Sequence, residues 1–155
     1  MPQPEAHHPE IDSGLHTLLS LQQAVRLTDA RDVRFAVLLH DLGKGITPEE
    51  ELPRHIAHEY RGIKLVRAVC KRLKTPNQYR DLALKACEYH LHSHRTMELR
   101  GKTLLKLLNA TDGLRRPDRF EAFLLACEAD ARGRLGREEE PYPQGDYLRE
   151  AREIA

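Results

Sequence analysis

Apolar residues recur at helical spacing along most of the chain. Val33, Ala36, Val37 and His40 stand at i, i+3, i+4 and i+7, one face of an amphipathic helix. Asp12 and Ser13 are cap candidates for a first helix reaching about Leu27. Asp32 caps a second helix that stops near Gly43, with Gly45 and Pro48 in a loop to about Pro53. A third helix is predicted from about Ile56 to Leu73. Thr75-Pro76 starts a fourth, which reaches about His90. Leu91 to Lys102 reads as loop, and a fifth helix covers about Thr103 to Leu114. Pro117 opens a sixth, ending at Gly133. No run alternates with period two between hairpin turns. The expected fold is all-α, a single helical domain of about six or seven helices. Residues 1–11 read as an N-terminal arm and 12–136 as the domain. Residues 137–155 read as an exposed linker, to about Gly145, and a short last helix from Asp146 packed on or near the domain.

The informative polar residues are those on the apolar stripes, where charge is costly unless it is paired or metal-bound. His16 lies beside Leu15 and Leu19, and His40 closes the stripe of the second helix, with Asp41 adjacent. Asp112 follows Leu104, Leu105 and Leu108. Asp130 follows Phe123, Ala126 and Cys127. Imidazoles and carboxylates meeting in a helical core suggest a metal site, for Mn, Fe, Ni, Co, Zn or Mg. Neighbours on a helix diverge by about 100°, so His40 and Asp41 share an ion only if it lies over the helix edge between them. The turn Gly43-Lys44-Gly45 then brings Lys44 near the ion, as an anchor for a phosphate oxygen.

Charge narrows the picture. Lys and Arg number 25 against 24 Asp and Glu, a net +1, so no global basic field marks a general nucleic-acid binder. The longest apolar runs, such as Phe35 to Leu39, are far short of the roughly 20 residues a membrane span needs. Nothing at the start resembles a signal peptide. Cys70, Cys87 and Cys127 are odd in number and lack a C-x-x-C, so buried free thiols in a reducing cytoplasm are expected. Tryptophan is absent, which leaves little for aromatic stacking on single-stranded nucleic acid. Nine of the 155 residues are histidine, at 7, 8, 16, 40, 55, 58, 90, 92 and 94. Histidine is the commonest metal ligand and acid–base group near neutral pH. His7 and His8 fall in the arm; His55, His92 and His94 read as loop or surface histidines.

Leu39-His40-Asp41-Leu42-Gly43-Lys44 resembles the signature of the HD superfamily of metal-dependent phosphohydrolases. The order around it fits as well: His16, then His40-Asp41, His58, His90 and a late aspartate. Longer segments resemble the C-terminal HD domain of bacterial multifunctional CCA-adding enzymes (tRNA nucleotidyltransferases). These are His8 to Asp12, Val33 to Gly45, Glu128 to Arg134 and Tyr142 to Gly145. No segment resembles the nucleotidyltransferase head, so nucleotidyl transfer is not expected. The resemblance implies a phosphodiesterase acting on 2′,3′-cyclic nucleotides, with phosphatase activity. It needs one or two divalent ions, Ni, Mn, Co or Mg. By the same resemblance His16, His40, Asp41 and Asp112 are the metal ligands, with Asp130 the competitor of Asp112. His58 and His90 match positions that contact phosphate or hold a second ion, and one of them protonates the leaving oxygen. With Lys44, His40 and Asp41 they form the expected catalytic set. tRNA is implied as a partner through the full-length enzyme. The basic third helix (Arg61, Lys64, Arg67, Lys71, Arg72, Lys74) suits a second reading, a non-catalytic docking module for tRNA or a partner subunit. A nucleoside 5′-monophosphatase is a third. Whether the chain forms a homodimer is left open.

Overall fold

The structure, a computed structural model, describes residues 13–43 and 58–155. Within them stand α1 (Ser13–Leu27), α2 (Arg31–Leu39), α3 (His58–Leu73), α4 (Asn77–His94), α5 (Gly101–Ala110), α6 (Pro117–Arg132) and α7 (Pro143–Ile154), with a 3-10 turn at Thr96–Glu98. No strand occurs among the described residues. The all-α expectation holds. The expected arm, the expected loop to about Pro53 with Lys44, then His55 and the expected start of α3 at Ile56 all lie outside the described residues.

The core is built from one face of each long helix. Val33, Ala36 and Val37 of α2 meet Leu82, Ala83, Ala86 and Cys87 of α4, and Phe120, Phe123, Leu124 and Cys127 of α6. α2 packs on α4 and α6, α1 on α6 and α2, and α3 on α4. Small residues set how closely these helices approach. A side chain at Gly62 of α3 would run into the Cys87 sulfur. A side chain at Gly133, just past α6, would run into Ser20 of α1, its Cα at 2.6 Å and its backbone N at 2.7 Å. The three cysteines are free and buried, as expected.

Four boundaries differ from the sequence reading. α2 ends at Leu39, so His40 and Asp41 stand at its C-terminal edge rather than inside it. α4 runs on to His94, because Leu91, His92 and Ser93 offer no breaker. α5 ends at Ala110 in a Schellman turn: Gly113 N–H donates to the Leu108 carbonyl (2.7 Å) and Asp112 N–H to the Asn109 carbonyl (3.3 Å). Asp112 adopts the left-handed conformation (φ 62°) that this turn requires and that aspartate tolerates. Finally, α7 begins at Pro143, inside the segment read as linker, and Tyr142 before it is buried.

Asp32 lies in the first turn of α2, whose cap position is Ala30. Its carboxylate accepts from Val33 N–H (2.9 Å), Gln78 Nε2 (3.1 Å) and Arg119 Nη1 (2.8 Å). Burial alone would raise its pKa, but the Arg119 and Gln78 bonds outweigh burial and hold it below the ordinary value. The unfolded chain therefore takes up the proton first. The stabilisation is complete above the unfolded value of about 4 and fades as pH falls through the lower folded value. Asp32→Asn should cost about 1–3 kcal/mol at pH 7. Urea unfolding at pH 7 and pH 3 checks this: the gap to wild type narrows at pH 3, and an unchanged gap contradicts it.

Candidate metal centre

Four helices bring their polar residues to one point. α1 supplies His16, the end of α2 supplies His40 and Asp41, α4 supplies His90 and His94, and α6 supplies Asp130. All but His94 are buried; its side chain keeps 17% exposure and forms the open edge. His16, His40, Asp41 and Asp130 each offer one donor atom, all within 4.8 Å of one another.

Backbone carbonyls orient the rings. Nδ1 of His16 donates to the Gly133 carbonyl (2.8 Å), Nδ1 of His40 to Val37 (2.5 Å) and Nδ1 of His90 to Ala86 (2.7 Å). A carbonyl only accepts, so in each neutral ring Nδ1 carries the hydrogen and Nε2 presents its lone pair inward. Those lone pairs face carboxylate oxygens. Nε2 of His16 and His40 lie 2.6 and 2.9 Å from Asp130 Oδ1, and 3.7 and 3.2 Å from Asp41 Oδ2. His90 Nε2 lies 3.3 Å from Asp41 Oδ1. Acceptors at such range repel unless positive charge lies among them. Two carboxylates and neutral imidazoles carry a charge of −2, which one divalent cation balances. The donor set and its charge therefore fit a divalent metal, and hard carboxylates beside imidazoles leave its identity open.

Without a metal ion, a proton on His40 meets the same negative field. Burial disfavours a charged His40, but Asp41 and Asp130 outweigh it and hold the ring well above its usual value. Burial would raise Asp130, yet a proton on His40 Nε2 and the bond from His94 Nε2–H hold it well below the carboxylate range. Asp130 thus stays an anion, and the field that favours a charged His40 is one that attracts cations.

His94 differs from its neighbours. Its Nε2–H donates to Asp130 Oδ2 (2.5 Å) and its Nδ1 accepts from the Tyr142 hydroxyl (2.8 Å). Burial holds its pKa below the usual value, against the pull of Asp130.

The structure brings together His16, His40, Asp41 and His90 as the sequence suggested. Asp112 is a correction. It is not among the converging donors; its carboxylate is ion-paired with Lys85. The Schellman turn takes Asp112 off the stripe that its spacing had implied. Asp130, the competitor, stands in the cluster instead. Lys44 lies outside the described residues, and His58 opens α3 without a described side chain. Sequence reasoning missed His94 and Tyr142. The signal for His94 was its i, i+4 relation to His90, which places both on one face if the helix continues. His92 packs edge-on to Tyr89, apart from the centre.

No helix among the described residues is long and apolar enough to cross a membrane. The HD domain family matches residues 14–137. The chain is 60% identical to a multifunctional CCA protein of Alkalilimnicola ehrlichii over 155 residues, all of this chain and 38% of that protein. It is 59% identical to one of Pseudomonas fluorescens, again over the whole chain and 38% of the relative. It is 58% identical to one of Hahella chejuensis over 96% of this chain and 35% of the relative. The chain thus spans little more than a third of these curated relatives, matching their C-terminal part. No solved structure gives a significant match. With the motif His40-Asp41, the all-α fold and the His/Asp centre in place, the chain belongs to the HD domain family of metal-dependent phosphohydrolases.

Proposed function

We propose that this chain hydrolyses 2′,3′-cyclic nucleotides, with accompanying phosphatase activity, as the HD part of a CCA-adding tRNA nucleotidyltransferase. The observation that carries the reading is the convergence of His16, His40, Asp41 and Asp130 with their donor atoms inward. These four would hold a divalent ion, Ni, Mn, Co or Mg. When bound, the ion supplies positive charge to a phosphoryl oxygen and acidity to water. The protein residues do the rest. The Nδ1 bonds to Gly133, Val37 and Ala86 fix the rings, so no reorganisation is needed when substrate arrives. Burial keeps bulk water from the four donors. His94, the one partly exposed member, marks the more open side, beside Asp130 Oδ2, where a phosphate ester would enter. Lys44 and His58 follow from the family motif as further phosphate contacts, and His90 or His58 as proton donor to the leaving oxygen. A cytoplasmic location, and tRNA as partner of the full-length protein, follow from the same relationship.

One observation favours an added docking role. Arg67, Lys71, Arg72 and Lys74 are exposed along the end of α3 and suit a phosphate backbone. The two roles are compatible.

The test is hydrolysis of 2′,3′-cyclic AMP by the chain with Ni, Mn, Co, Mg or Zn, beside Asp41→Ala. Turnover should require metal and fall by more than about 100-fold in the variant, beyond the loss typical of an outer-shell change. A folded protein inactive with every metal contradicts the proposal.

A further inference from the structure

Tyr142 is buried beside the centre, yet it lies beyond the residues that match the HD family. Its ring meets His94 edge-on, with centroids 5.6 Å apart. Its hydroxyl lies 2.7 Å from Ser93 Oγ and 2.8 Å from His94 Nδ1. Burial and the nearby Cys127 push its pKa up, so the hydroxyl keeps its proton. Gln144 adds a second tie, donating from Nε2 to the His94 carbonyl (3.3 Å). Gly145 makes room for the arrangement: a Cβ there would come within 3.2 Å of the Tyr142 ring. The start of α7 thus grips His94 by side chain and backbone.

The carboxylate at the other end can only accept. His94 Nε2 therefore carries the hydrogen, and Nδ1 receives the one from Tyr142. That order is the reverse of His16, His40 and His90, whose Nδ1 carries the hydrogen. His94 is thereby set up to hold a ligand rather than to be one. It fixes Oδ2 of Asp130, which leaves Oδ1 turned toward His16 and His40.

We propose that Tyr142 and His94 are positioning residues, an outer relay from α7 that orients Asp130 for the divalent ion. The inference rests on the metal reading above and extends the centre past the HD match. Partners of this kind typically contribute about 10–100-fold to metal affinity.

The experiment measures Mn(II) and Ni(II) affinity by chelator competition, and apo-protein melting, for wild type, Tyr142→Phe, His94→Ala, His94→Gln and Tyr142→Phe/His94→Ala. Tyr142→Phe keeps the buried ring and removes the hydroxyl. It should weaken metal binding about tenfold while the protein stays folded. His94→Gln should recover part of the loss of His94→Ala, because an amide N–H can still donate to Asp130. In the double variant Tyr142→Phe should add nothing to His94→Ala, since the relay is already broken. A merely structural role predicts the opposite: lower melting temperatures, unchanged affinity of the folded fraction, and additive losses. Either that pattern or wild-type affinity in Tyr142→Phe overturns the inference. A wild-type protein that binds neither ion overturns the metal reading itself, and this inference with it.

Discussion

Asp130→Asn should reduce divalent-metal affinity and metal-dependent hydrolysis by more than about 100-fold, whereas Asp112→Asn should leave both within about twofold of wild type. The contrast follows from where each carboxylate sits. Asp130 is buried in α6 and its Oδ1 faces two imidazole nitrogens at 2.6 and 2.9 Å. Asparagine keeps the shape but removes the charge that balances a cation, and it places an amide near lone pairs. Asp112 closes the turn after α5 and pairs with Lys85. Its loss affects one partly buried ion pair, with an effect on stability of about 1 kcal/mol or less. Chelator competition and steady-state hydrolysis of 2′,3′-cyclic AMP measure both sides. A variant order reversed from this one would return Asp112 to the centre.

Gly133→Ala should be the most damaging added methyl among the described glycines. A Cβ there would meet Ser20 of α1 at its Oγ, its Cα and its backbone N, and the last two cannot swing aside. Overpacking of this kind costs typically about 1–3 kcal/mol, and more when backbone must shift. At roughly 2–4 °C per kcal/mol for a chain this size, the melting temperature should fall by about 2–12 °C. The effect also reaches the centre, because the Gly133 carbonyl orients His16 through Nδ1. Metal affinity should therefore drop in the same variant. Gly101→Ala is the control: a Cβ there meets nothing within 4 Å, and thermal melting should be unchanged. Equal melting temperatures for the two variants would refute the close-approach argument.

Helices α1 to α6 were legible because each carries an apolar stripe, and some a clear start, such as Pro117. So were His16, His40 and Asp41, since histidine and aspartate on a buried stripe have few stable fates in a helical core. The choice between Asp112 and Asp130 was not decided by periodicity, because both follow leucine- or phenylalanine-rich stripes. What separates them is local. Asp112-Gly113 ends its helix in a left-handed turn, while Asp130 stays inside α6 with two residues of helix still to run. Aspartate before glycine after a leucine run is a stop signal, and it outweighs the motif match. His94 was hidden by the expected end of α4 near His90. One further turn of helix moves it from a loop into the site. Tyr142 was hidden among prolines, glutamates and glycine that read as solvent-exposed. Its burial depends on a pocket formed by Ser93 and His94, a tertiary fact that no local pattern carries.

One divalent cation should sit among His16, His40, Asp41 and Asp130. Anomalous diffraction from crystals grown with Mn(II) tests it most directly. A strong peak should lie in contact with Nε2 of both histidines and with both carboxylates. A peak elsewhere, or a folded protein with no peak at that point under saturating Mn(II), would contradict it.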